Sequence, residues 1–136
     1  MYGRNGFIQY QFVLPKKTSY SSLEEILQLI SRSSSVPPLA VLKLFGAGNK
    51  NYLSFPMEGY TLAVDFKIEK KLFKFLETLD KIILNNGGRI YLAKDARVNK
   101  EVFECGYPKI EKFRILRRKY DLDKKFNSLQ SRRLEI

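Results

Sequence analysis

The sequence predicts an α+β fold: an antiparallel sheet with helices packed on one face, in the split βαβ order of ferredoxin-like folds, followed by C-terminal helices. Three observations carry this expectation. Short runs rich in aromatic and β-branched residues occupy residues 7–14, 39–45, 60–66 and 89–92, the composition of strands. Longer stretches with apolar residues at helical spacing separate the first run from the second and the third from the fourth. Proline and glycine close the runs at Pro15, Gly46 and Gly87. With 136 residues, the chain is expected to form one domain, residues 1–136.

In the first strand, a period of two puts Gln9 and Gln11 on one face and Ile8, Tyr10 and Phe12 on the other. Two adjacent amides need partners if buried, and either a ligand or solvent can supply them. Ser19 to Ser22 offer N-caps, and Leu23, Ile26, Leu27 and Ile30 form the stripe of an amphipathic helix that runs through Arg32. A loop at residues 33–38 leads to the second strand, where Lys43 shares a face with Val41 and Phe45. A charge on an apolar face either lies at a wet edge of the sheet or faces an anion. In the third strand Leu62, Val64 and Phe66 alternate with Thr61, Ala63 and Asp65. Residues 69–86 read as a long helix with Leu72, Leu76, Leu79 and Ile83 as its stripe and Gly87 as its cap. After the fourth strand, residues 99–105 read as helical, and Pro108 marks the start of a further helix. Ile110, Phe113, Leu116 and Tyr120 line that final basic helix, and a tail holds Phe126 and Leu129.

Composition narrows the chemistry. Lys+Arg 25 against Asp+Glu 14 gives a net charge of +11, which attracts nucleic acid, acidic membrane surfaces or phosphorylated substrates alike. Much of the excess is late, with ten Lys or Arg between positions 109 and 133 against Glu111, Asp121 and Asp123. One cysteine, Cys105, makes no internal disulfide and fits a reducing compartment. With no histidine, the common metal-site and Ser-His or Cys-His patterns have nothing to build on, so no metal is expected. The apolar runs are too short for a spanning helix, which needs roughly 20 residues. Gly46-Ala47-Gly48 lacks the third glycine of a dinucleotide loop.

The stretch from Gly87 to Arg97 is where chemistry is expected. Tyr91 and Lys94 follow a predicted strand, and a lysine fixed there would be a positive charge beside a developing anion. Pairing of Lys94 with Asp95, or exposure to water, is equally compatible with the residues.

Four segments taken together, residues 8–15, 42–46, 53–60 and 87–95, resemble the C-terminal part of flavin-dependent oxidases of the vanillyl-alcohol oxidase superfamily. The resemblance implies that Lys94 and Tyr91 act at FAD and substrate, while Gln9, Gln11, Lys43, Phe45 and Thr61 line the substrate pocket. It further implies hydride transfer from a secondary alcohol of a sugar or polyprenyl-phosphate sugar, an FAD-binding domain or subunit outside these residues, and an epimerase partner reductase. The expected location is cytoplasmic, either free or peripheral to a membrane. Ala63 departs from the reactive cysteine carried there by some relatives. The alternative reading is a basic α/β module that binds nucleic acid or protein. No RNP1 pattern supports the former, so no nucleic acid is expected, whereas an apolar sheet face left bare would self-associate.

Overall fold

A computed structural model describes residues 4–33, 36–121 and 125–136. Four strands, β1 (Phe7–Pro15), β2 (Leu39–Phe45), β3 (Gly59–Lys67) and β4 (Arg89–Ile90), form one antiparallel sheet in the order β2-β3-β1-β4. Helices α1 (Ser19–Arg32) and α2 (Leu72–Asn85) make the two crossovers. A central β1 paired on both sides, with each helix returning the chain to the sheet, is the split βαβ order read from the sequence.

The β1–β3 register fixes which face is which. Tyr10 lies opposite Val64 and Phe12 opposite Leu62. This face meets the stripes of α1 (Leu23, Ile26, Ile30) and α2 (Leu72, Leu76, Leu79, Ile83), all buried. Each such side chain removed from water contributes about 1.5–3 kcal/mol. A slip of one residue would turn the whole apolar set outward, so the pattern of the strands specifies their pairing.

Several boundaries differ from the sequence reading for local reasons. The long helix starts at Leu72 and not at residue 69, because Ile68 N–H still donates to Gly6 O, 3.1 Å, as an extension of the sheet. Its other end behaves as expected: Gly87, at φ 76°, and Gly88 donate to Leu84 O (3.0 Å) and Ile83 O (2.8 Å), a Schellman closure. The fourth strand is two residues long and not four. After Tyr91 N–H reaches Gln11 O (2.8 Å), the chain turns into a 3-10 turn, Leu92–Lys94. Helix α3 (Lys100–Gly106) is capped by Asn99, which accepts from Val102 N–H at 2.9 Å. Helix α4 (Ile110–Tyr120) begins two residues past Pro108.

The tail around Leu129, read as irregular, contains a helix, α5 (Leu129–Leu134). Reciprocal hydrogen bonds between Ser128 and Ser131 start it, and the fully buried Leu134 anchors it. No helix among the described residues is long and apolar enough to cross a membrane.

Candidate functional site

The face of the sheet turned away from α1 and α2 carries Gln9, Gln11 and Val13 from β1, Thr61, Ala63 and Asp65 from β3, and Leu39, Val41, Lys43 and Phe45 from β2. Arg89 and Tyr91 continue it at the β4 edge, where Arg89 lies opposite Val13. The sequence reading left this whole face uncovered, but the β2–β3 connection folds across one end of it. Phe55 from that loop is buried, stacks on Tyr91 at 4.3 Å between ring centroids, and meets Phe45 edge-on at 5.9 Å. Arg89 Nη1 donates to Ser54 O at 2.9 Å and pins the same loop. Val13 beneath is fully buried as a result.

Beside it the two central strands carry a set of polar side chains that pair with one another, flanked by the apolar Leu39, Val41 and Ala63. Gln9 Nε2 donates to Asp65 Oδ1 at 2.8 Å, Gln11 Nε2 donates to Thr61 Oγ1 at 3.0 Å, and the Thr61 hydroxyl donates to Phe12 O at 2.8 Å. The sheet therefore supplies partners for the two amides that a ligand was expected to supply. Thr61 has its hydroxyl committed and is buried, so it orients Gln11. The Oε1 atoms of both glutamines accept no hydrogen bond among the described residues. They form a row of acceptors suited to ligand hydroxyls.

One cation, Lys43, lies next to this row, and Lys94 follows the β4 edge. Lys43, opposite Thr61 on the outer strand, is exposed, and Lys94 is exposed at the end of the 3-10 turn. Neither makes an ion pair or hydrogen bond with a described residue. Lys94 is thus presented by a turn and not by a strand end, which corrects the sequence reading. The pairing of Lys94 with Asp95 is also excluded. Asp95 Oδ1 accepts from Arg97 N–H (2.9 Å) and Val98 N–H (2.8 Å), and its Oδ2 takes Arg133 Nη2 at 2.7 Å. Gln130 Nε2 donates to Leu92 O at 2.7 Å. Helix α5 therefore clamps the turn that carries Lys94.

Beneath the turn lies a buried ionic group that sequence reasoning missed. Arg97 Nη2 contacts both oxygens of Asp80 at 2.8 Å, and the Tyr10 hydroxyl donates to Asp80 Oδ1 at 2.7 Å. Burial pushes the Asp80 carboxyl above its ordinary range, while the Arg97 charge and the two hydrogen bonds pull it back. Burial also pushes the Tyr10 hydroxyl well up, and the Asp80 charge adds to that. The one available signal was Asp80 itself, a carboxylate one residue after Leu79 on the apolar stripe of α2.

The fold and this face define a class: an α+β module whose antiparallel sheet packs two helices on one face and carries an internally paired polar set on the other. Comparison with known proteins makes the likeness specific. Over 135 residues, 99% of this chain, the sequence is 43% identical to decaprenylphosphoryl-beta-D-ribose oxidase of Mycolicibacterium smegmatis. Over 115 residues, 84% of the chain, it is 33% identical to a Streptomyces coelicolor protein described as an uncharacterized protein in the mprA 5'region. The chain spans 29% and 31% of the lengths of these relatives. No family model matches it. The oxidase resemblance seen in the sequence is therefore borne out along almost the whole chain.

Proposed function

We propose that residues 1–136 are the substrate-domain portion of an FAD-dependent oxidoreductase that oxidises a secondary alcohol of a sugar or sugar phosphate, and that the chain is inactive alone. The observation that carries this reading is the 43% identity, over 99% of the chain, to an oxidase whose name specifies a phosphoryl-linked ribose. The donor set of the sheet face is compatible with such a role. Tyr91, held by its stacking on Phe55, offers an aromatic wall for a planar ring, and Lys94 has no ion-pair partner among the described residues.

On this reading, Lys94 and Tyr91 are the residues of this chain that would hold the isoalloxazine end of FAD, and its pyrophosphate belongs to a module outside these residues. Bound FAD supplies the hydride acceptor. Lys94 places a positive charge where negative charge develops, and its ammonium also hydrogen-bonds the alcohol oxygen that loses its proton. Gln9 and Gln11 receive sugar hydroxyls on Oε1, and Lys43 and Phe45 border the pocket. Thr61 acts through Gln11. An FAD-binding domain or subunit is the first partner, and a reductase completing an epimerisation is the second.

The test joins this chain to the remaining segment of the oxidase relative and follows alcohol-dependent dye reduction. Lys94→Met is expected to lower kcat by a factor of about 100 or more, in line with loss of one preorganised electrostatic contact. The chain by itself is expected to be colourless. Stoichiometric yellow flavin on this polypeptide alone, or full activity of the Lys94→Met assembly, would overturn the reading.

A further inference from the structure

Between the residue 46–58 loop and the start of α4 lies a cavity of about 150 Å³ bordered by Asn49, Asn51, Tyr52, Ser54, Arg89 and Lys109. No acidic residue lines it. Its volume is about five times the ~30 Å³ share of one water in the liquid, ample for a tetrahedral oxyanion.

Arg89 makes this cavity unusual. Five arginines among the described residues are partly buried: 89, 97, 114, 117 and 133. Four of them have a carboxylate within ion-pair distance: Arg97 with Asp80, Arg114 with Glu104 and Glu111, Arg117 with Asp121, and Arg133 with Asp95. Arg89 has none among the described residues. Its only hydrogen bond is to the neutral carbonyl of Ser54, its guanidinium lies over the Tyr107 ring at 5.3 Å, and its Nε is buried with no partner. A cation withdrawn from water without a counter-charge is costly. Burial correspondingly lowers the Arg89 pKa from its ordinary value.

The neighbours are donors. Asn49 Oδ1 accepts from Asn51 N–H at 2.9 Å, so its acceptor is engaged within the loop and its amide N–H groups make no hydrogen bond with a described residue. Lys109 is the N-cap of α4 and has no side-chain cap, so the positive end of an eleven-residue helix and a second cation border the same cavity.

We propose that this cavity is an oxyanion site that takes inorganic phosphate or the phosphoryl group of a small ester, with Arg89 as its counter-charge. The site shares no residue with Gln9, Gln11, Lys43, Phe45, Thr61, Tyr91 or Lys94, so it stands or falls independently of the oxidase reading.

Titration calorimetry on the full chain at fixed ionic strength tests it, with inorganic phosphate and ribose 5-phosphate as probes and chloride as the control. Saturable phosphate binding is expected, weakened at least tenfold by Arg89→Gln and by a smaller factor by the exposed Lys109→Gln. Tighter binding of the sugar ester would identify an esterified ligand, and equal binding would identify free phosphate; both support the site. Phosphate indistinguishable from chloride, or unchanged affinity in Arg89→Gln, would overturn it. Should Arg89→Gln fail to fold, amide shifts of the wild-type chain decide. Phosphate-dependent shifts centred on Asn49, Asn51 and Ser54 support the site, and their absence refutes it.

Discussion

Asp80 carries more of the fold than its position on a helix suggests. Its carboxylate meets both the Arg97 guanidinium and the Tyr10 hydroxyl, and its side chain is 2% exposed. Asp80→Ala leaves a nearly buried guanidinium without its partner and is expected to cost about 3–5 kcal/mol, whereas Asp80→Leu combined with Arg97→Met should cost less than the single change. Equilibrium denaturant unfolding of the three proteins checks this. The buried tyrosines give a pH signature of the opposite, alkaline kind. Burial pushes Tyr10 and Tyr107 upward, and the Tyr107 hydroxyl is further engaged with Ile90 O at 2.7 Å. In the unfolded chain both ionise near pH ~10 while the folded chain keeps both protons, so the folded state binds more protons above that pH. Stability is therefore intact below pH ~10 and falls as pH rises beyond it, by up to about 1.4 kcal/mol per pH unit for each tyrosine. Tyr107→Phe should remove its share of that slope between pH ~9 and 12, measured as the change in denaturation midpoint. An unchanged slope would refute the assignment.

At the scale of elements, the turn bearing Lys94 is shaped by a helix distant in the chain. Arg133 on α5 contacts Asp95 Oδ2 at 2.7 Å and Val98 O at 2.6 Å. Arg133→Gln is expected to cost about 1.5–3 kcal/mol and to speed amide exchange at residues 92–98 while leaving the sheet protected. Exchange that accelerates uniformly would instead mean that α5 stabilises the molecule generally. Tight approaches of backbone make a second prediction. A Cβ at Gly88 would meet Val13 O at 2.5 Å, whereas one at Gly46 meets nothing within 4 Å. Gly88→Ala should therefore destabilise by about 1–3 kcal/mol, and Gly46→Ala should be neutral or slightly stabilising. Thermal unfolding separates the two outcomes.

At the scale of the whole molecule, the outer strand β2 is the feature the described residues leave exposed. Leu39, Leu42 and Leu44 are 47%, 53% and 58% exposed on a strand at the edge of the sheet, and Leu42 lies close to the exposed Tyr20 and Leu27 of α1. An apolar edge of this kind pairs with whatever strand or surface is at hand. The isolated chain is expected to self-associate with rising concentration, and Leu42→Lys should shift light scattering toward the monomer. A monomer at high concentration in the unsubstituted chain would count against this.

Strand alternation, the two helical stripes and the closing glycines determined the fold class and the face on which each strand residue lies, because these depend on local periods that the sequence displays directly. Within single strands they also determined that Gln9 goes with Gln11 and Lys43 with Val41 and Phe45; that these sets meet Thr61 and Tyr91 on one side of the sheet is fixed by the register between strands. Tertiary structure alone decided what those residues are free to do. Whether Gln11 faces a ligand or Thr61, whether Lys94 meets Asp95 or remains uncommitted, and whether Arg89 has a counter-ion depend on groups 35 to 50 positions away, brought near by packing. Charge partners across that distance carry no period in the chain, and only the assembled core selects among them.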